Sequence, residues 1–457
     1  MNKRFRTCSL DQPFLLPPSF EDWLPQHHLA RFIAEVVSEL DLSAIYSEYA
    51  RKDGRGLAAY HPLMLTRLLL YAYCVGKPSS RQIEKATYDD LAFRYLAADQ
   101  HPDHDTIANF RQQHLQRLAE LFVQGLAVCR EAGLVKLAPV ALDGTKVRAQ
   151  ASFRRNLKGE KVLEQEEELA KQVEKLLKEA AQVDAAEDAR FGKGRRGDEL
   201  PPELATAQKR LAKLREIKQK MQQQANDVAA KLEQERQQAG GRPRHEAEKK
   251  RWQRAKKRSE LSEQTMNSTD PDSRLMKDGA TGAIVQGYNA QVIAAGQQQI
   301  IVAAEVTTDC NDKAQLPPMV QKLKENLDAT PETLSADTGY WSEESFSHDA
   351  LNGVDVLVPP DAENRGKVTP GQELPANAPR TERAEAMRAR LKNPAEAAIY
   401  AMRKAIVEPV FGQIKERRGF RRFSLRGLAQ VRAEWALICL THNLLKLHHH
   451  RVAQAAA

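Results

Sequence analysis

Two short apolar runs, LAPVALDGTKV around Asp143 and TLSADTGYW around Asp337, each lead into an aspartate followed by a small residue or glycine. Asp and Gly are poor in strand interiors, so each run reads as a strand that ends at its aspartate, where a rigid scaffold can present a side chain to a ligand. Singly, such an aspartate is an ordinary turn or cap residue. What constrains the fold is that they stand 194 positions apart with a long charged block between, so a sheet using both strands must carry that block as an insertion.

A third carboxylate lies downstream in NPAEAAIYAMRKAIVEPVFGQIKERRGFRRFSLR, from Asn393 to Arg426. Asn393 suits an N-cap, Pro394 the first helical position and Glu396 the first turn. Pro409 removes a backbone donor and biases the preceding residue out of the helix, which predicts a kink or restart at Glu408. At about 100° per residue, Tyr400, Glu408, Phe411 and Lys415 share a face roughly 80° wide. The plain alternative is an amphipathic helix on which Glu408 pairs with Lys404 or Lys415.

The pieces ALDGTKV, GYNAQ, LSADTGY, and Tyr400-x2-Arg403-x4-Glu408-x6-Lys415 running into FGQIKERRGFRRFSLRG together resemble the DDE transposases of bacterial insertion sequences. RQIEKATYDDLAFRYL and HDTIANFRQQH look like the helical domain that precedes the catalytic domain in many of them. The resemblance implies Asp143, Asp337 and Glu408 as the acidic triad, and a ribonuclease-H-like catalytic domain in which the first and fourth strands lie side by side. It also brings in Tyr400 and Arg403 as DNA contacts. A common form of the motif has three residues between Arg and Glu where this chain has four. The extra residue swings Arg403 about 140° from Glu408 on an ideal helix and puts Lys404 in its place, so either could be the basic partner.

The expected organisation is an α/β (α+β) chain with these parts: an irregular arm over 1–18; an all-α domain over 19–132; a mixed-sheet catalytic domain over 136–154 and 264–450; a helical insertion over 155–263; and a mobile loop over 361–392. In the N-terminal domain, Asp105 should cap the helix TIANFRQQHLQRLAELFVQGL, exposing Asn109, Arg111, Gln112 and His114. That pattern suits a helix-turn-helix DNA reader as well as it suits a bundle with a solvated face. In the insertion, apolar residues recur at helical spacing (Leu169, Val173, Leu176, then Leu211, Leu214, Met221, Ala225). They predict an antiparallel, coiled-coil-like hairpin turned at FGKGRRGDELPPE, with a third helix after GGRPR.

Charge placement narrows the chemistry. From Tyr400 to the end, 11 Lys/Arg face 3 Asp/Glu, a surplus equal to the +8 of the whole chain. Arg417, Arg418, Arg421, Arg422 and Arg426, interleaved with Phe420 and Phe423, together with Lys415, should hold a phosphate backbone. Three convergent carboxylates repel without a cation, so Mg²⁺ or Mn²⁺ is expected, as two ions about 3.5–4 Å apart acting on a phosphodiester. The partners are then double-stranded DNA (terminal inverted repeats and target) and a second copy of the chain in a synaptic homodimer. Competing readings are another ribonuclease-H-like nuclease without a joining step, or a non-catalytic DNA-binding protein derived from a transposase. No apolar run approaches 18 residues and MNKRFRTCSL lacks an apolar core, so no membrane role is expected, and the setting would be a bacterial cytoplasm, at the nucleoid. The five scattered cysteines show no zinc spacing and should be reduced and structural, and His448–His450 read as a solvated helix end.

Overall fold

The computed structural model describes residues 19–50, 58–191, 202–243, 246–279, 281–361 and 379–456. The expected arm, the turn of the helical hairpin and residues 362–378 of the expected loop lie outside them. The chain forms two compact units: Met1–Val147 with Asn289–Leu425 and Ala429–Ala457, and Arg148–Tyr288 with Arg426–Leu428.

The strands among the described residues are β1 (Val140–Arg148), β2 (Asn156–Lys158), β3 (Thr265–Asn267), β4 (Arg274–Lys277), β5 (Ile284–Ala295), β6 (Ile300–Thr307), β7 (Thr333–Ser335) and β8 (Asp355–Leu357). One mixed sheet has the order β4-β5-β1-β7-β8, with β6 also paired to β5. β4, β5 and β6 pair antiparallel, whereas β1 with β7 and β7 with β8 pair parallel. This is the mixed sheet of a ribonuclease-H-like catalytic domain, preceded by helices. β5 is buried from Val285 to Ala295, so its side chains are covered on both faces, as its near-continuous small and apolar sequence requires.

The N-terminal helices pack around Pro62–Cys74, in which Met64, Leu65 and nearly every later residue are buried. Ser80–Asp89 and Leu91–Leu96 follow as two short helices. Three expectations fail next. Asp103, not Asp105, is the cap: its carboxylate accepts from Thr106 N at 2.6 Å, leaving Asp105 in the first turn. The expected continuous helix also breaks at His114 into His104–Gln113 and Leu115–Glu131. His114 is buried rather than exposed, its Nδ1 3.0 Å from Glu48 Oε2. Further along, part of the expected 361–392 loop is the helix Glu382–Lys392, capped by Thr381 and tied down by Arg388 to Asp361 and Arg390 to Asp355. Arg388 and Arg390 explain the order there; the local composition hides it.

In the second unit, Gly159–Phe191, Pro202–Gln238 and Glu246–Arg258 are helical, and the first two pack on each other around Val162, Ile217, Met221 and Met266. Glu166 joins them, 2.7 Å from Lys218 and 3.3 Å from Arg215. The insertion leaves and returns through the antiparallel pair β2–β3, Asn156 opposite Asn267. No helix among the described residues is long and apolar enough to cross a membrane. Cys74, Cys129 and Cys439 are buried, as structural cysteines should be, but Cys310 is exposed.

The C-terminal helix Leu428–Ala456 closes the outer edge of β6. Asn443, fully buried, accepts from Ile301 N and donates to Ile301 O, both at 2.8 Å, replacing the strand that β6 lacks. His448 is half-buried against Phe32 and bonded to the His27 carbonyl, so it is not a free helix end. Asn443→Leu leaves a buried N–H and C=O unpaired and should lower unfolding free energy by about 2–4 kcal/mol, read by chemical denaturation.

Candidate active site

The register of β1 on β7 pairs Ala141 with Ser335. Asp143 and Asp337 each lie two residues further along, Asp337 just past β7 in still-extended backbone, so the pleat sends both carboxylates to one face; the expected strand end at Asp143 is a correction, because β1 continues through it to Arg148. Like charges placed side by side repel. Burial and then Asp337 push the Asp143 carboxyl up to about 7 from its ordinary 3.8, against the opposing pull of the Gly144 N–H and Arg403. Asp143 Oδ1 accepts from Gly144 N at 2.7 Å, and Asp337 Oδ1 from Gly339 N at 2.9 Å, which fixes both side chains beside their own glycines.

The base of this face belongs to a half-buried residue that sequence reasoning did not single out. Asp312, in the DCNDK turn after β6, has Oδ1 2.6 Å from Asn289 Nδ2, 2.7 Å from Gln291 Nε2 and 3.5 Å from Lys146 Nζ. Burial, then Asp312, Asp143 and Asp337, push the Tyr340 phenol well above its ordinary value, so all three carboxylates act on one ring. The phenol donates to Gln291. The available signal was GYNAQ: Asn289 and Gln291 alternate on one face of a strand that is otherwise small and apolar. Fully buried amides must find partners. The same packing explains the glycine after Asp143, since a Cβ on Gly144 would meet Gln291 Nε2 at 2.3 Å and Asp312 Oδ1 at 3.1 Å.

Downstream, the Glu408 segment does what its proline dictates. Asn393 caps Pro394–Ile406 by accepting from Ala395 N, the helix stops at Val407, and Glu408–Gly412 restarts before a π-turn over Gln413–Arg417. The break divides the expected common face of Tyr400, Glu408, Phe411 and Lys415. Arg403 is buried, 3.7 Å from Asp143 Oδ2, with its guanidinium 5.8 Å from the centre of the Tyr400 ring. Lys404 is exposed. The four-residue spacing therefore turns the arginine onto the aspartates and away from Glu408. Glu408 is exposed and is not among the charges acting on Asp143. Among the described residues, no three His, Cys, Asp or Glu side chains converge as a metal-holding group. The paired aspartates, hard oxygen donors whose mutual repulsion a cation would relieve, nevertheless suit Mg²⁺ or Mn²⁺.

The basic residues divide. Arg417, Arg421, Arg422 and Arg426 are exposed, although Arg421 is paired with Glu416 and Arg426 Nε donates to the Gln150 carbonyl. Arg418 is a correction: it is buried and donates to Thr441 Oγ1 and the Ile438 carbonyl, and burial pulls its guanidinium down to about 10. Phe420 and Phe423 are also core residues, packed on Tyr73 and Trp435. Lys415 Nζ is bonded to the Lys146 carbonyl of β1 at 2.8 Å. Among the N-terminal helices Asn109 is exposed, whereas Arg111 is half-buried with Nη1 2.7 Å from the Pro78 carbonyl.

Two family models match the chain, a transposase domain (DUF772) over residues 18–113 and a transposase DDE domain over residues 366–448. The second spans Arg403, Glu408 and the arginine-rich stretch, while Asp143 and Asp337 lie outside both. No curated protein and no solved structure matches.

Because the Asp143 pKa is raised on folding, its contribution to stability is complete below about 3.8 and lost as pH rises through about 7. With a chelator present, Asp143→Asn should gain stability over wild type between pH 4 and 7, reaching about 1–4 kcal/mol at pH 8, read from denaturation midpoints. Replacing Arg417 and Arg422 together by Gln should make the logarithmic salt slope of DNA binding shallower by about 2. Arg418→Ala should leave that slope alone and cost about 2–4 kcal/mol of stability.

Proposed function

We propose that this chain is a DDE transposase of insertion sequences: it binds the ends of its element as double-stranded DNA, cuts them by metal-dependent phosphodiester cleavage and joins them to target DNA. The observation that carries the reading is Asp143, with Asp337 acting on it from one side and the buried Arg403 paired to it from the other. Asp143 and Asp337 would hold Mg²⁺ or Mn²⁺, with Glu408 completing the set when DNA is bound. When bound, the ions supply charge stabilisation to the reacting phosphate and activate water or a 3′-hydroxyl.

The residues of the chain do the rest. Arg403 offsets one negative charge of the pair while the site is empty of substrate, and its burial under Tyr400 keeps it aimed there. Asp312, clamped by two amides, holds Asn289 and Gln291 against Gly144 and so fixes the part of β1 that carries Asp143. Lys415 ties the Glu408 segment to the same strand. Exposed Arg417, Arg421, Arg422 and Arg426 would neutralise phosphates along the bound duplex, and Asn109 would add a polar contact from the N-terminal domain. Two ends must be brought together, which calls for a homodimer.

The test is Mg²⁺-dependent nicking and joining on DNA carrying the ends of the element around this gene. Asp143→Ala, Asp337→Ala and Glu408→Ala should each reduce cutting about a thousandfold or more while DNA binding persists. Asp312→Asn should cut more slowly than wild type but faster than these three. Cutting without joining would make the protein a nuclease; binding without cutting by the wild type would overturn the enzymatic reading.

A further inference from the structure

The three helices of the insertion differ in charge in a way their packing does not require. Gly159–Phe191 carries ten Asp/Glu against five Lys/Arg, whereas Glu246–Arg258, EAEKKRWQRAKKR, carries seven Lys/Arg against two Glu. The basic helix is held by its inner side. Trp252 is buried, with the Arg236 guanidinium 5.6 Å from the centre of its ring, and Arg251 pairs with Glu235.

On the opposite side, Lys250, Arg254 and Arg258 follow at four-residue intervals, within about 80° of one another on an ideal helix. All three are exposed and none forms an ion pair with a described residue. Like charges four apart destabilise a helix, so this stripe works against the element that bears it. The helix dipole favours positive charge only in the last turn, which accounts for Lys256, Lys257 and Arg258 but not for Lys249, Lys250, Arg251 or Arg254.

We propose that the exposed side of Glu246–Arg258 is a second DNA-binding surface, taking the phosphate backbone of a duplex without reading its sequence. The successive turns of the helix present their charges about 5–6 Å apart, a spacing that suits consecutive phosphates along one strand. Lys and Arg without base-reading partners give affinity and register rather than specificity. The proposal rests on the reading of the chain as a DNA-acting transposase and adds to it a surface on the insertion.

The experiment compares full-length wild type with the triple variant Lys250→Gln, Arg254→Gln, Arg258→Gln. Both are titrated with a random-sequence DNA duplex a few tens of base pairs long, over a range of salt. Gln is a good helix former, and circular dichroism and thermal midpoint confirm that the fold is kept. The expected result is a salt slope shallower by about 2.7, so that the affinity ratio between 50 and 200 mM salt falls about 40-fold relative to wild type. The charge-preserving set Lys250→Arg, Arg254→Lys, Arg258→Lys should retain the wild-type slope. An unchanged slope in a folded triple variant overturns the proposal and leaves the proposed function standing. So does a change confined to self-association, read by sedimentation, which would assign the stripe to the acidic helix of a second copy. A wild type that binds neither this duplex nor one carrying the ends of the element overturns both.

Discussion

The parallel pairing of β1 with β7 is the constraint on which the site depends. Two residues of ladder, Val140 on Leu334 and Ala141 on Ser335, bring together aspartates that are 194 positions apart in the chain. A slip of one residue would send one carboxylate to the opposite face of the sheet and dissolve the pair. The interactions around the pair guard that register. Ser335 donates to the Val140 carbonyl, Gly144 leaves room for Gln291 and Asp312, and Arg403 relieves the repulsion that the register creates.

Much of this was legible in the sequence, for identifiable reasons. The break at Glu408 was marked by Pro409 and the end of β7 just before Asp337 by Asp-Thr-Gly, because backbone chemistry is local and leaves local traces, but Asp-Gly misled at Asp143, where β1 runs on to Arg148. Charge, by contrast, says nothing of which way a side chain points. Arg418 reads as one more basic residue in ERRGFRRF, yet it is a core residue bonded to Thr441 and Ile438, while Arg417 beside it is exposed. Asp312 was missed for the complementary reason: its partners come from two strands, Asn289 and Gln291 from β5 and the distant Lys146 from β1, that only the fold brings to its turn. The clue was two buried amides in β5, which only a three-dimensional account of hydrogen bonds could complete.

The C-terminal helix shows how polar groups are used to hold the sheet in place. Asn443 serves the edge of β6, Trp435 Nε1 donates to the Gln291 carbonyl, and His442, whose imidazole is pulled down to about 3 by burial, meets the Gln299 carbonyl. Glu434, buried, accepts the N–H groups of Ser424 and Leu425 and so fixes the end of the arginine-rich stretch. A segment with surplus positive charge is thereby anchored through a buried carboxylate and not through its arginines alone.

The β2–β3 neck carries a consequence for how freely this architecture can vary. Because Asn156 and Asn267 pair directly, with Asn267 Nδ2 bonded to Asn156 Oδ1, the chain that leaves the sheet returns to it within one ladder of three residue pairs. Loop-closure entropy grows only with the logarithm of length, about 0.6 kcal/mol for each doubling, so whatever lies above the neck can lengthen or shorten at little thermodynamic cost. The sheet is thus insulated from the history of its own insertion. The two aspartates are held to their register, while the helices between them are free to drift in size and charge toward whatever they touch.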